Sequence, residues 1–481
     1  MVKKKIVIIG AGTLGLFLGS QILKNKKKNL EVIFLEKGSE KNNFISKSDI
    51  GKSLYFKLGT KYLSNLGIGG LSKLWGGQLS EFDSEDIKKR YWGINYAMLN
   101  KYYLKVYSIF NLRKSFLNKI KPNLKINNKE TRFYFTRWLP QPNFFFLFKK
   151  IFRDSRVKVI KEIRDININF EKNKATEIII KKNDQKNIQI SCDYIILCMG
   201  VFEIIKFLLR NKKNSPWRSN KNIGAYFQDH YSIKVGQVKI YDQKKFNYFF
   251  FNRLIGNEKV QTKVKYNNVN ALALSGEFKP SKNNYQSVMQ KLIYSLKNRT
   301  KIDKKLFINF NLILEIKYLF FLIYYLLKKR IYFNYHKGID FFLQSEQSPK
   351  RNNKVYLDNK NKIKVLWKCN NIDVFLIKKS LKKFDKYFKN FNFFQVNFNK
   401  FYRSKINQIK KEMSHTDHAS GGTIISKNEQ TGVVDNNLKI WNTKNVYICC
   451  SSVFPTTSHA NIGLTSMAFA LRLSDRIKNK I

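Results

Sequence analysis

The chain has 481 residues, 43% of them hydrophobic, with 40 Phe and 25 Tyr. That is enough to bury the cores of two or three domains, and it excludes a disordered chain. The 91 Lys and Arg against 33 acids give a net charge of +58, but Lys, Asn, Ile, Phe and Tyr are inflated together and the lysines run through the whole chain with no RNA- or DNA-binding motif. The charge therefore reads as the imprint of an AT-rich coding sequence and excludes specific nucleic-acid recognition. It leaves nonspecific attraction to polyanions, anionic substrates or an anionic membrane surface.

Residues 5–9 (Lys-Ile-Val-Ile-Ile) are a β-branched run that predicts a buried strand. A Gly10-x-Gly12-x-x-Gly15 turn and a helical pattern over 16–23 follow, then a second strand over 31–35 ending at Glu36. Gly10 permits the tight turn, Gly12 lets backbone approach a pyrophosphate, and Gly15 lets helix and strand pack closely. The helix N-terminus then faces phosphate, and Glu36 is placed to accept ribose hydroxyls. An acid there repels a 2′-phosphate, which disfavours NADP and leaves FAD or NAD.

A glycine-rich stretch follows at 67–77, containing Gly69, Gly70, Ser72, Trp75 and Gly76, and then Trp92, Tyr96, Leu99 and Tyr102-Tyr103. Val157–Ile160 and Ala175–Ile180 read as added strands before another at Cys192–Cys198, which runs into Gly200. Asn222–His230 and the runs 340–349, 354–357 and 363–367 come next, the last three reading as strands of one second-domain sheet. The apolar run Tyr318–Leu327, flanked by Lys317 and Lys328-Lys329-Arg330, is too short to span a bilayer. It predicts a buried helix, with an interfacial anchor as the alternative. Residues 279–335 as a whole match nothing recognised.

The C-terminal end holds three of the five histidines, His415, His418 and His459, followed by Asn461 and a small-residue helix from about Gly463. In order and in spacing, the blocks at 10–36, 67–103, 192–209, 222–230 and 418–472 resemble the glucose–methanol–choline (GMC) flavoprotein oxidoreductases, notably the bacterial sugar and polyol dehydrogenase-like members. The resemblance covers roughly 190 of the 481 residues. It implies noncovalent FAD, since no histidine lies in 67–77 to tether it, with Gly10, Gly12, Gly15, Glu36, Gly69, Gly70, Ser72, Trp75, Gly76, Gly200 and Ser451 at the cofactor. It makes His418 the catalytic base and Asn461 its partner, with His459 the rival for that role and helix capping the other reading of Asn461. His415 could line the pocket, though a solvated loop residue fits it better. His230 reads as structural and His336 receives no role. Two positions depart from the family pattern: Cys450 stands where an Asp is usual, and Ile424-Ile425-Ser426 replaces Cys-Arg-Met, which points to an altered substrate pocket.

These residues suit removal of a hydroxyl proton by a near-neutral imidazole, with hydride passing from the carbinol carbon to a flavin. The expected function is FAD-dependent oxidation of a CH–OH group of a small alcohol or carbohydrate, with an unidentified electron acceptor. A flavin reductase or isomerase fed by a partner is the alternative, and a basic membrane- or polyanion-associated protein with a vestigial nucleotide fold is a third reading. The five cysteines show no zinc spacing and read as inert thiols, no metal site is expected, and no GxSxG elbow supports a hydrolase. The N-terminal run is the first strand of the nucleotide fold rather than a signal peptide, so the expected location is cytoplasmic, with peripheral contact to the inner membrane allowed.

The expected fold class is α/β (α+β overall), a Rossmann-like FAD-binding domain with a sheet-plus-helix substrate domain inserted. The first is assembled from 1–90, 151–235 and 410–481, and the second from 91–150 and 236–409.

Overall fold

The computed structural model describes residues 3–26, 29–38, 45–47, 63–65, 67–112, 130–182, 187–250, 253–255, 258–280 and 338–481, with three isolated positions between 320 and 327. The Tyr318–Leu327 run and most of 279–335 lie outside the described residues. No described helix is long and apolar enough to cross a membrane.

A five-stranded parallel sheet forms the first layer, built on β1 (Lys4–Ile9) and β2 (Leu30–Leu35). β11 (Tyr194–Leu197) flanks β1 and is followed by β20 (Val446–Ile448), while β7 (Val157–Ile160) closes the other edge beside β2. β2 is buried along its whole length, as continuous apolar strands of covered parallel sheets are. Helix α1 (Thr13–Ile22) and the C-terminal helix α6 (Ile462–Lys480) cover this sheet and pack on each other. A three-stranded antiparallel sheet, β8 (Ile163–Glu171), β9 (Lys174–Lys182) and β10 (Ile188–Ser191), carries the predicted 175–180 strand. A short hairpin pairs β3 (Ile45–Lys47) with β4 (Leu63–Asn65).

The second layer is an antiparallel sheet of eight strands among the described residues. Its order is β19 (Phe394–Asn397), β12 (Tyr231–Ile240), β16 (Ile339–Ser345), β15 (Leu274–Pro280), β14 (Glu258–Tyr266), β6 (Thr131–Trp138) and β5 (Gln78–Leu79), with β13 (Arg253–Ile255) on β14. Its strands alternate with period two, so the two faces differ in kind. Val260, Val264, Phe278, Phe341 and Leu343 are buried on one face beneath helix α5 (Asn371–Phe388), which contributes Ile377, Leu381, Phe384 and Phe388. Phe341 meets Phe278 at 5.0 Å and Phe388 at 5.3 Å between ring centroids. Gly276 is required here, because a Cβ at that position would lie 2.1 Å from the Phe341 ring. The other face presents Tyr134, Thr136, Gln261, Lys263, Lys265, Ser275, Glu277 and Gln344. The register sets Gln261 beside Thr136, Lys263 beside Tyr134 and Ser275 beside Gln344.

One expectation is corrected. The runs 354–357 and 363–367 do not join the second-domain sheet: β17 (Lys354–Leu357) and β18 (Ile363–Leu366) form a separate hairpin that packs on helix α4 (Val201–Arg210). Gly224 receives its backbone, with Val355 N donating to Gly224 O at 2.9 Å. Helix α3 (Tyr96–Ile109) packs against the C-terminal helix α6. Tyr103 Oη lies 2.6 Å from Thr465 Oγ1 there.

The apolar face sets a stability test. Phe341→Ala removes a fully buried ring at the centre of this cluster and is expected to cost about 3–5 kcal/mol, read as a lowered denaturation midpoint. Tyr134→Phe on the polar face keeps the ring and loses one hydrogen bond to Ser275, an expected cost of about 0.5–1.5 kcal/mol.

Candidate active site

The glycine turn ends β1 with Gly10 at φ +101°, a backbone conformation that side chains rarely adopt. A Cβ on Gly15 would sit 2.0 Å from Gly10 O, so Gly15 is where helix and strand meet most closely. Gly12 is the N-cap of α1, and a Cβ there has only Gly70 Cα nearby, at 3.8 Å. Gly200, at φ +82° before α4, has nothing within 4 Å of its Cβ direction. Open space thus lies beside two backbone turns, each at a helix start whose N–H groups carry partial positive charge. That arrangement fits a dinucleotide pyrophosphate, so the residues present fit FAD.

Glu36 is buried, and its carboxylate is already engaged. Oε2 accepts from Ala11 N at 2.8 Å, and Oε1 accepts from Gly38 N at 2.9 Å and Gly67 N at 3.1 Å. It therefore ties the glycine turn to the 67–77 loop, with a fourth lone-pair direction left for a ribose hydroxyl. In that loop Gly69 and Gly70 have positive φ, and a Cβ on Gly70 would press to 2.9 Å from Gly12 Cα. Ser72 donates to Gly69 O at 2.6 Å and accepts from Phe144 N at 2.9 Å. Trp75 donates to Pro142 O at 2.7 Å and lies over Gly463, whose Cβ would meet its ring at 2.6 Å. Gly76 accommodates the Trp138 ring in the same way, at 2.6 Å. Ser72 and Trp75 thus tie the loop to the Pro142–Phe144 segment, and their polar atoms are already engaged. Ser451 likewise donates to Ala419 O at 2.8 Å, securing the segment that carries His418.

His418 lies on a returning segment paired to the strand leading into β12. Gln228 bridges Ser420, and Ser232 bridges Ser414. Its Nδ1 lies 2.9 Å from Thr416 Oγ1 and 3.1 Å from His230 Nδ1. Its Nε2 has no hydrogen-bond partner among the described residues. Burial, then the neighbouring His230 and Lys263, hold its pKa well below the ordinary imidazole value, with Glu277 opposing. Asp229 Oδ1 accepts from His230 N at 2.6 Å, Thr416 Oγ1 at 3.1 Å, His418 N at 3.2 Å and Thr416 N at 3.3 Å. Burial still pushes this carboxyl up to about 6. His230, read from sequence as structural, touches the proposed base and is the main residue that sequence reasoning missed. The Asp229-His230 dipeptide and the scarcity of histidine were the available signals.

Asn461 is the N-cap of α6 by position, yet its side chain makes no capping bond. Nδ2 donates instead to Gln78 Oε1 at 3.0 Å. Gln78 Nε2 donates to Thr136 Oγ1 at 2.7 Å and Gln261 Oε1 at 2.9 Å, and Lys263 Nζ reaches Gln78 Oε1 at 3.3 Å. Lys263 pairs with Glu277 at 3.0 Å. The polar sheet face therefore runs from Asn461 to the Lys263–Glu277 pair whose field acts on His418. No hydrogen bond joins His418 to Asn461 directly among the described residues.

His459 is drawn elsewhere. It is buried with Asp83 and Asp86, the capping box of helix α2 (Ser84–Lys89). Its Nε2 lies 4.0 Å from Asp83 and its Nδ1 3.9 Å from Asp86. Burial brings its pKa down to about 3. Although these three groups converge as metal ligands do, Lys265 lies 2.5 Å from Asp83, and burial pushes the Asp86 carboxyl up to about 7 against the field of Lys89. His415 is neither solvated nor free: its side chain is largely buried and Nδ1 lies 3.2 Å from Asp417. Burial would lower its pKa, but the Asp417 and Asp229 carboxylates raise it. Ile424 and Ile425 are buried, and Ile425 N donates to Val453 O at 2.9 Å, so they brace the core rather than line a pocket. Burial pushes the Cys198 and Cys450 thiols up, as expected of inert cysteines.

Against this geometry, residues 349–470 match the family model described as GMC oxidoreductase. A formate oxidase of Aspergillus oryzae RIB40, in which the effect of a mutation on FAD modification was followed, shares the fold with a TM-score of 0.57 at 13% identity, covering 100% of this chain and 99% of its own. Pyridoxine 4-oxidase from Mesorbium loti does so with a TM-score of 0.61 at 12% identity, covering 98% and 99%. No curated protein matches the chain in sequence. The two-layer architecture is the fold of these two oxidases. The family match covers the C-terminal part of the chain, and the shared fold extends over nearly its whole length.

The glycine geometry separates folding from cofactor binding. Gly12→Ala meets no close atom in the protein, so the apoprotein is expected to melt within about 0.5 kcal/mol of wild type while flavin is lost from the purified protein. Gly15→Ala clashes with backbone and is expected to lower the apoprotein melting temperature itself. Calorimetry and flavin absorbance together distinguish the two.

Proposed function

We propose that the protein uses noncovalently bound FAD to oxidise a CH–OH group of a sugar or polyol, with His418 as the base that accepts the hydroxyl proton. The observation that carries this reading is a partly buried imidazole with a partner-free Nε2, set beside a sheet face of amides and hydroxyls. Gln78, Gln261, Gln344 and Asn461 supply amides, and Thr136 supplies a hydroxyl. Such groups offer donors and acceptors without titrating, which matches a substrate that is itself a row of hydroxyls.

When bound, FAD supplies the hydride-accepting centre. His418 takes the proton from the reacting hydroxyl. Its lowered pKa keeps it neutral, and so able to accept a proton, over the physiological range. Asn461, anchored through Nδ2 to Gln78, offers its amide oxygen to orient a substrate hydroxyl. Lys263 and Glu277 compensate each other beside the base, so the site does not draw an anion onto His418.

Three outcomes are expected. Purified protein is yellow and releases its flavin on acid denaturation, and anaerobic mixing with a panel of sugars and polyols bleaches it. A flavin that no alcohol bleaches would remove the reading in favour of a reductase fed by a partner. His418→Ala keeps flavin and slows bleaching about 10²–10⁴-fold. Because the pKa of His418 is lowered, kcat/KM for the wild type stays high as pH falls through 6.5, and the acid limb lies below that value. An acid limb centred at or above 6.5 would assign the base to another group.

A further inference from the structure

The hydrogen-bond roles around His418 can be assigned one by one from groups whose protons are not in doubt. Thr457 O is a carbonyl and only accepts. His230 Nε2, 3.0 Å away, must therefore carry a hydrogen. In neutral His230, Nδ1 is then a bare lone pair. Gln344 confirms that role from the other side. Its Nε2 lies 3.2 Å from the carbonyl of His459 and 2.9 Å from His230 Nδ1. The first contact fixes the amide as donor, and its second hydrogen points to the lone pair. Thr416 Oγ1 donates to the Asp229 carboxylate at 3.1 Å, so toward His418 it can only accept.

His418 Nδ1 thus faces no donor: Thr416 Oγ1 accepts at 2.9 Å, and His230 Nδ1 at 3.1 Å carries no hydrogen, its single lone pair being shared with Gln344. We infer that His230, together with the Asp229–Thr416 pair, is a positioning device that holds neutral His418 as its Nδ1–H tautomer, so that the Nε2 lone pair is the one presented to substrate. An imidazole free in water favours the opposite tautomer, with hydrogen on Nε2, which could not accept a proton there. The chain order of this device, Asp229-His230 entering the second sheet and Thr416-x-His418 leaving it, is met where two antiparallel segments cross. Two neutral rings at 5.1 Å, edge to face, also keep the His418 plane fixed.

This inference rests on the proposed role of His418 as base, but the first test does not involve substrate. Long-range proton–nitrogen NMR of the full-length protein with ring-labelled histidine, assigned with His418→Gln and His230→Gln, reads each tautomer at neutral pH. The expected result is a protonated Nδ1 and a bare Nε2 on His418, and the reverse on His230. A hydrogen on Nε2 of His418 in the wild type overturns the inference whatever the activity. Absence of alcohol-driven bleaching with the expected tautomers would instead sink the functional reading and leave the device standing.

Variants extend the test. His230→Leu removes one acceptor and Thr416→Val the other. Flavin reduction is expected to slow about tenfold or more in each, less than the loss from removing the base, with KM little changed and His418 moving toward the Nε2–H form. His230→Asn keeps an acceptor oxygen and should recover part of the rate. The pH profile is read against the charged groups that face His418, namely Asp229, His230, Lys263, Glu277, His415 and Asp417. An undisturbed tautomer and rate in His230→Leu that retains flavin would also overturn the assignment to His230.

Discussion

The Asp229 carboxylate holds together the place where the chain passes between its two layers. The backbone reaches the second sheet through Gln228–Ser232 and returns through Ser414–Ser420, and isolated bridges pair these crossings at both ends. Between the bridges the strands are too irregular to exchange ladder bonds, which would leave their N–H groups buried without partners. Asp229 Oδ1 supplies those partners, accepting from His230 N, Thr416 N and His418 N. A buried carboxylate is costly without such donors. It is also well placed, because the residues whose backbone it fixes are the ones whose side chains meet. The position of His418 follows from this constraint rather than from its own contacts.

The second sheet then decides what His418 faces. Period-two alternation puts phenylalanines toward α5 and amides, hydroxyls and paired charges toward the nucleotide-binding layer. Gln78 links the two layers, since it ends the glycine-rich loop, pairs in β5 with Trp138, and binds both Asn461 and the sheet face. The glycine-rich loop and the edge strand β5 of the second sheet are therefore one continuous stretch of chain, residues 67–79. A shift in the loop on binding a dinucleotide would be transmitted directly to the amide beside Asn461.

Much of the nucleotide-binding layer was legible because local rules suffice there. A β-branched run, three glycines with distinct steric jobs and an acid at the end of the next strand each act within a few residues of one another. The second layer was less legible for a physical reason: its register is set by pairings between strands far apart in sequence, such as β14 with β6 across more than a hundred residues. The 354–366 hairpin has the same alternating pattern as a sheet strand, and only its packing on α4 shows that it lies elsewhere. The surroundings of His230 depend on the same kind of distant pairing. A buried histidine after an aspartate looks structural until the return segment brings Thr416 and His418 against it. His459 looked like a rival for Asn461 because it is two residues away. The turn through Ser458, at φ +58°, sends its ring to the carboxylates of α2 instead.

The charge that dominates the composition has a different relation to the site. Several of the scarce acids are spent inside the molecule against buried or partly buried cations. Glu277 pairs with Lys263, Asp83 with Lys265, Glu346 with Lys89 and Glu258 with Arg137. Such pairs add little net stability, since desolvation cancels much of the attraction, but they leave the polar sheet face near neutrality. Each such pair withdraws one cation with each acid, so the net charge of +58 is left to the exterior. Long-range attraction of polyanions is then a property of the surface, screened over about 8 Å at physiological salt. The uncharged amides and hydroxyls beside His418 lie where that field is locally compensated by the Lys263–Glu277 pair. A neutral, hydroxyl-rich substrate and a strongly basic protein are therefore compatible.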